Sequence, residues 1–342
     1  MAADHVYKVL FFLQSAAFIV FLITIFQGSD PFNTPHERLA PLGVPCRCKS
    51  FENIIRHACP QAKESLSAYR GPVTNCSLND IRARPGVVLL TTVNLAFLDV
   101  ALNMLMSVRQ SGVCVNTTVI GEDRQVYEQL ATRLKDDPTV TVLLTDSGEM
   151  DTIEHPRSHG SQYYGLMNKR QRYILDLLEQ GNEVLFSDAD TFWFRDPFPF
   201  FRGAFDISLI DSRSPFGVRT PGGDFCAGFV YYKSTPIAVQ LVKAWIDTMR
   251  ENKKIGRLLA DQSVLNGLLK ANKPVYVEIK PLDTNIFPYG PLFYSLLEKK
   301  ANYSTVVMHA ASIRGRAAKI AKFKTSNMWL VNKTVEEMVS KV

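Results

Sequence analysis

Positive charge is scarce for a chain that would hold nucleic acid. The formal net charge is only +6, dispersed over 342 residues, and no arginine-rich stripe appears. No Gly-X-Gly-X-X-Gly follows the first apolar strand, which removes the main sign of a dinucleotide-binding Rossmann fold. There is no internal repeat. Cysteine is sparse as well, with six residues of which Cys46, Cys48, Cys59 and Cys76 crowd one segment while Cys114 and Cys226 stand apart. Cys46, Cys48, Cys59 and His57 could bind zinc, but their spacing matches no common finger. Disulfides in an oxidising compartment account for them better, with connectivity left open.

What is present begins with an apolar run over residues 9–26, interrupted only by Gln14, Ser15 and Thr24. A bilayer-spanning helix needs roughly 20 such residues. The rival reading is a cleaved signal peptide, but the run exceeds the usual apolar region and no small-X-small cleavage site follows Phe26. Lys8 and the amino terminus, opposed by Asp4, give a weak positive-inside bias. The expectation is an uncleaved signal anchor with residues 1–8 cytoplasmic and the rest lumenal. Sequons at Asn75, Asn116, Asn302 and Asn332 agree with that side. Residues 27–45 carry Pro31, Pro35, Pro41 and Pro45 and no helical or strand period, so they read as a stem. Residues 46–84 form a Cys-rich collar with a helical piece around 51–68.

From Pro85 a regular rhythm starts. Strands are expected over 87–92, 113–120, 139–144 and 183–187, alternating with helices over 95–111, 124–135 and 163–180, the last stopped by Gly181. Such alternation predicts an α/β fold with a mostly parallel central sheet and right-handed crossovers. Later strands are expected over 206–210, 225–232, 275–279 and 305–309, with helices over 236–250 and 258–270 and a basic tail. The whole of 85–342 is expected to be one lumenal catalytic domain.

The strand over 183–187 ends in Asp188-Ala189-Asp190, followed by Thr191-Phe192-Trp193-Phe194-Arg195-Asp196-Pro197. Open α/β sheets bind ligands beyond the carboxyl ends of their strands. Two carboxylates there are costly unless something compensates them. A divalent cation held against a diphosphate does so, with hard oxygen ligands suited to Mg²⁺ or Mn²⁺. An Asp-X-Asp triplet alone is more often a turn or helix cap, so partners elsewhere must carry the metal reading.

Residues 166–181, the block 184–198, Phe225-Cys226-Ala227-Gly228-Phe229-Val230-Tyr231-Tyr232-Lys233-Ser234, Asp261-Gln262-Ser263-Val264-Leu265-Asn266, Leu282-Asp283 with Phe287 and Gly290, and His309-Ala310 with Gly315 and Lys319 together resemble the nucleotide-diphospho-sugar transferase family. That group includes the plant rhamnogalacturonan-II xylosyltransferases and cell-wall arabinosyltransferases. The resemblance spans about residues 86–325. It implies a GT-A-type Rossmann-like sandwich, Golgi residence as a single-pass type II membrane protein, and transfer with retention of anomeric configuration.

Carried over by position, Asp188, Asp190 and His309 would be metal ligands for Mn²⁺ or Mg²⁺, and Lys319 a cation on the diphosphate. Lys169, Arg170 and Asp188 would contact the donor, with Thr91, Thr92 and Asn94 beside the uridine. Asp190, Asp261 and Gln262 would serve catalysis, the last two at the sugar. Structural alternatives stay open: His309 as a core residue, Lys319 as a solvated helix lysine beside Lys322 and Lys324, Lys169 and Arg170 as exposed helix charges, and Asp261 as a helix N-cap. Two positions depart from the family. Cys226 stands where an Asn is frequent, which puts one donor-sugar contact in doubt, and Ala311 stands where His-Ala-Asn is frequent, which removes a polar group near His309.

The implied activity is transfer of a sugar from a UDP-sugar to a hydroxyl of a glycan or glycoprotein. No carboxylate is obviously placed for a covalent intermediate, so an ion-pair-like transfer is expected, with Asp261 as fallback nucleophile or stabiliser. The alternative is a catalytically inactive lumenal protein that binds nucleotide sugars. Metal-assisted hydrolysis needs more ligands than are found.

Overall fold

The computed structural model describes residues 76–145, 167–212, 225–257, 259–298 and 305–332. The expected anchor, the stem and the collar up to residue 75 lie outside the described residues. Among the described residues, no helix is long and apolar enough to cross a membrane.

A short helix α1 (Leu78–Arg82) opens the described chain, closed at its start by a Ser77–Asp80 capping box. Strand β1 (Val87–Val93) is a β-branched and leucine run buried along most of its length, as an inner strand covered on both faces must be. A 3₁₀ turn (Leu95–Phe97) leads into α2 (Leu98–Gln110), followed by β2 (Asn116–Gly121), α3 (Arg124–Leu134) and β3 (Val140–Leu144). Helix α4 (Arg170–Glu179) ends where Gly181 takes φ +85°, letting Asn182 N–H reach back to the Leu177 carbonyl. Then come β4 (Glu183–Ser187), β5 (Thr191–Trp193), β6 (Ile207–Asp211) and β7 (Phe225–Tyr232). Helix α5 (Pro236–Lys254) is started by Thr235, whose hydroxyl accepts from Ala238 N–H, with Pro236 in the first turn. The remainder is α6 (Asp261–Ala271), β8 (Ile279–Leu282), α7 (Gly290–Glu298), β9 (Val307–His309) and α8 (Arg316–Thr325).

Seven strands form one sheet in the order β3-β2-β1-β4-β7-β6-β8. Strands β1 to β4 are parallel, and so is the β6–β8 pair, while β7 runs antiparallel to both β4 and β6. The expected α/β class with a mostly parallel sheet is therefore what is found. Successive strand residues face opposite sides. Leu89, Leu185 and Phe229 pack with α2 and α3, whereas Leu90, Phe186 and Val230 pack with α4, α5 and α6. A separate antiparallel ribbon, β5–β9, pairs Thr191 with His309 and has its own core around Phe192, Phe194, Phe293 and Phe323.

Several boundaries differ from expectation. The strand expected at 275–279 is found at Ile279–Leu282, because pairing with β6 begins only at Ile207↔Ile279. Pro281 is tolerated there because β8 is an edge strand. The basic tail contains α8, whose buried Lys319 and Phe323 lie four residues apart on one face. Arg170 opens α4, with Lys169 as its N-cap residue, so the two do not sit a turn inside a longer helix. The described cysteines also settle one pairing: Cys76 is bonded to Cys114, and Cys226 is a free thiol.

Candidate active site

The site grows from the end of β4. Beyond Ser187 the chain turns through 188–190 into β5, and the turn is fixed on every side by backbone hydrogen bonds. Asp188 N–H donates to the Gly228 carbonyl (2.7 Å), and Ala310 N–H donates to the Asp190 carbonyl (3.0 Å). The Ser187 and Thr191 hydroxyls also meet across the turn at 2.8 Å. Because β5 pairs with β9, the register that sets Thr191 against His309 brings the imidazole to the Asp-X-Asp turn.

Three side chains converge there. His309 Nε2 lies 3.1 Å from Asp190 Oδ1 and 3.4 Å from Asp188 Oδ2. One ligand atom from each of Asp188, Asp190 and His309 lies within 4.8 Å of the others. His309 is buried, so the alternative of a satisfied core histidine has to include its two carboxylate neighbours. Lys319 reaches in from α8, its Nζ donating to Asp190 Oδ2 (2.6 Å) and to the Ala310 carbonyl (2.7 Å). It is buried, which overturns the reading of a solvated helix lysine that its exposed neighbours Lys322 and Lys324 allowed.

Electrostatics follow from that packing. Burial alone would raise the pKa of Asp190, but the Lys319 ammonium and His309 outweigh it and hold the carboxyl far below its usual range. Burial pulls the His309 pKa down, yet Asp190 and Asp188 carry it well above the ordinary imidazole value.

A second layer stands behind Asp188. Arg170, at the start of α4, is buried, donates to Asp188 Oδ1 (2.9 Å), and donates through Nε to Asp261 Oδ2 (2.6 Å). Its guanidinium also lies over the Phe186 ring at 5.0 Å. Arg170 is thus neither an exposed helix charge nor an open donor contact in this arrangement. Asp261 needs a correction too. The N-cap of α6 is Ala260, so Asp261 is no cap. Its Oδ2 takes bonds from Arg170 and Gln171, and its Oδ1 accepts from Gln262 N–H. A carboxylate engaged at both oxygens and clamped by a guanidinium is a poor nucleophile, so of the two fallback roles only that of stabiliser is compatible with this geometry. Gln262 uses its side-chain oxygen to accept from Ala227 N–H (3.1 Å), holding β7 beside the site.

Thr91 is buried on β1 with its hydroxyl unpartnered, Thr92 is half-buried, and Asn94 is buried where β1 ends. Since β1 is the parallel neighbour of β4, these residues lie along the same carboxyl edge as Asp188. Lys169 is half-buried beside Arg170.

Two contacts escaped the sequence reading. Gly228 sits where an added Cβ would press on Asp188 Oδ2 and His309 Cε1. The available signal was a glycine inside a fully apolar strand, which marks a close approach. Cys226, read as the loss of a donor contact, places its sulfur 3.3 Å from His309 Nδ1 and accepts from Gly228 N–H at 3.4 Å. The polar neighbour that His309 would have lacked beside Ala311 is supplied from β7 instead.

Two carboxylates and an imidazole on a cleared glycine floor are a donor set suited to a hard or borderline divalent ion such as Mn²⁺ or Mg²⁺. An α/β sheet carrying such an acidic corner at its strand ends is the build of an enzyme that handles phosphorylated ligands. The sequence profile of the nucleotide-diphospho-sugar transferases matches residues 112–323, and the chain belongs to that family as a glycosyltransferase.

The chain is similar to UDP-D-xylose:L-fucose alpha-1,3-D-xylosyltransferase MGP4 of Arabidopsis thaliana, at 26% identity over 273 residues, 75% of this chain and 73% of that protein. It is similar also to UDP-galactose:fucoside alpha-3-galactosyltransferase of Dictyostelium discoideum, at 24% identity over 197 residues, 52% of this chain and 30% of that one. Among solved structures, a galactosyltransferase LgtC complex with donor and acceptor sugar analogs aligns with a TM-score of 0.49 at 13% identity, covering 73% of this chain and 99% of that one.

Proposed function

We propose that this chain is a metal-dependent, retaining glycosyltransferase of GT-A type that moves a sugar from a UDP-sugar to a hydroxyl of a glycan or glycoprotein. It would work in the Golgi lumen, held by residues 9–26 as a type II signal anchor. The observation that carries the reading is the convergence of Asp188, Asp190, His309 and Lys319 at the carboxyl edge of the sheet.

Asp188, Asp190 and His309 would hold Mn²⁺ or Mg²⁺, which neutralises charge developing on a diphosphate leaving group. Lys319, whose ammonium stands on Asp190 Oδ2, would offer a second positive contact to the same diphosphate. Arg170 keeps Asp188 oriented and stays charged against Asp261. With Asp261 locked, the transfer would proceed without a covalent carboxylate intermediate on that residue. The bond from that carbon to the β-phosphate oxygen breaks with its electron pair going to the oxygen. The acceptor hydroxyl bonds to the carbon from the same face, and its proton passes to the departing phosphate. Thr91, Thr92 and Asn94 line the edge where the uridine would lie.

The test is UDP release by the full-length protein in detergent from a panel of UDP-sugars, with Mn²⁺ or with EDTA. Release from one sugar, lost in EDTA, is expected. UDP binding without release from any donor would favour the inactive binding protein.

Cys226 makes a narrower prediction. Its sulfur accepts from Gly228 N–H and lies 3.3 Å from His309 Nδ1, so it would hold the ring in place and, with Nδ1–H directed at the sulfur, leave Nε2 available to a bound cation. Loss of such an outer-shell partner costs roughly 10–100-fold in metal affinity. Cys226→Ala should weaken Mn²⁺ binding by that order, read by electron paramagnetic resonance titration, while Cys226→Ser, which retains an acceptor, stays close to wild type. Equal affinity in all three proteins would remove the role.

A further inference from the structure

Helix α2 is almost wholly buried, yet Asp99, Asn103 and Ser107 recur along it every fourth residue, each fully enclosed. A buried polar stripe is costly unless its members find partners. Each one finds a partner, although the Asn103 amide nitrogen itself has none, and the partners lie on β5, on α8 and on the chain just beyond α8. Ser107 Oγ accepts from Trp193 N–H (3.0 Å), fixing the strand that follows Asp190. Asp99 takes two bonds from Arg316, Nε at 3.1 Å and a terminal nitrogen at 2.5 Å, fixing the first turn of α8. Asn103 Oδ1 accepts from Leu330 N–H (2.7 Å), tying down the chain beyond α8.

Arg316 and Lys319 are three residues apart on the same helix, so they share its first turn. Gly315, just before them, takes φ +80°, a backbone conformation that relies on neighbouring contacts to hold the helix start at one angle. The two halves of the Lys319–Asp190 pair therefore reach the site on different elements, and α2 grips both. A planar guanidinium on a carboxylate through two nitrogens fixes direction as well as distance, which a lysine at that place would not do.

We propose that the Asp99–Arg316 pair is a positioning device that sets the Lys319 ammonium against the Asp190 corner and the diphosphate leaving group. The proposal rests on the reading of Lys319 given above. Neither Asp99 nor Arg316 reaches the reacting atoms: they act through Lys319.

The first test variant is Arg316→Met, with Asp99→Asn/Arg316→Gln as a second variant that leaves no buried charge unpaired, each compared by thermal melting with wild type. Two readouts follow. The rate at which an amine-directed reagent modifies Lys319, measured by mass spectrometry in the metal-free full-length protein, should rise several-fold, while that of exposed Lys243 stays unchanged. Turnover should fall by about 10–100-fold in kcat, the loss that a misplacement near 1 Å produces, with little change in acceptor KM. In a Lys319→Gln background the same substitution should cost almost nothing further, because the group it positions is gone.

Unchanged Lys319 labelling in a folded variant overturns the clamp whatever the activity. An equal loss of kcat with and without Lys319 also overturns it, since the pair would then support the fold and not the lysine. Faster labelling with unchanged kcat overturns it through the role given to Lys319. In that case Lys319→Gln alone would also keep its turnover, which separates failure of the functional reading from failure of the clamp.

Discussion

Asp190→Asn is expected to lose about 10³-fold or more in kcat, roughly 4 kcal/mol of transition-state stabilisation. The substitution keeps the shape of the side chain and removes its charge, and it acts on two partners at once. Oδ1 lies 3.1 Å from His309 Nε2 and Oδ2 lies 2.6 Å from Lys319 Nζ. A bound cation would lose an anionic ligand, and Lys319 would lose the carboxylate that brings it to the leaving group. Excess Mn²⁺ should restore little, because only the first loss is a matter of occupancy. The metal-free variant should also be less stable, since removing one partner of a buried ion pair costs about 3–5 kcal/mol. Asn is therefore preferred to Ala, which would add a cavity to that cost. UDP release, Mn²⁺ titration and a thermal melt together check the claim. Turnover within tenfold of wild type, at unchanged metal affinity, would place the chemistry elsewhere.

How much of this could be read from the chain depends on whether a residue's partner is near or far in sequence. The first half of the sheet was legible because β1 and β4 carry the apolar runs 87–90 and 184–186 and because Gly181 has to take a positive φ. Strand β5 was not, since three residues carry no period, and it exists because β9 pairs with it. Helix α8 looked like a solvated tail because its surface is lysine-rich, and only tertiary contact shows Lys319 and Phe323 turned inward. At the site, family resemblance pointed to Asp188, Asp190, His309 and Lys319, and the fold gathers them. The partners that fix them were out of reach. Arg170 meets Asp261 across 91 positions and Arg316 meets Asp99 across 217, and no local pattern encodes either pairing. For Asp261 the local pattern offered a helix cap and the resemblance a place at the sugar, and neither signals the buried ion pair with Arg170 in which it lies.

Gly228→Ala should disable the site while leaving the fold in place. An added Cβ would sit 2.9 Å from Asp188 Cγ, and closer still to Asp188 Oδ2 and His309 Cε1. Gly228 is not among the glycines with positive φ, so its backbone accepts alanine and the whole conflict falls on those two side chains. Neither can yield freely. Rotating the Asp188 carboxylate breaks its 2.9 Å bond to Arg170, and moving the His309 ring breaks its contact with Cys226. The strand cannot shift either, because the Gly228 carbonyl accepts from Asp188 N–H at 2.7 Å and so moves the ligand with it. Overpacking of this kind costs about 1–3 kcal/mol, small enough for the protein to remain folded. Displacing two ligands by a fraction of an ångström to 1 Å should lower turnover by about 10²-fold, with Mn²⁺ affinity falling in parallel. Gly267→Ala is the control, since a Cβ there meets nothing within 4 Å on α6 and should stabilise that helix by about 0.5–1 kcal/mol. If Gly228→Ala binds Mn²⁺ and turns over like the Gly267→Ala protein, then Asp188 and His309 do not need the positions found here, and the cleared floor between them is only packing.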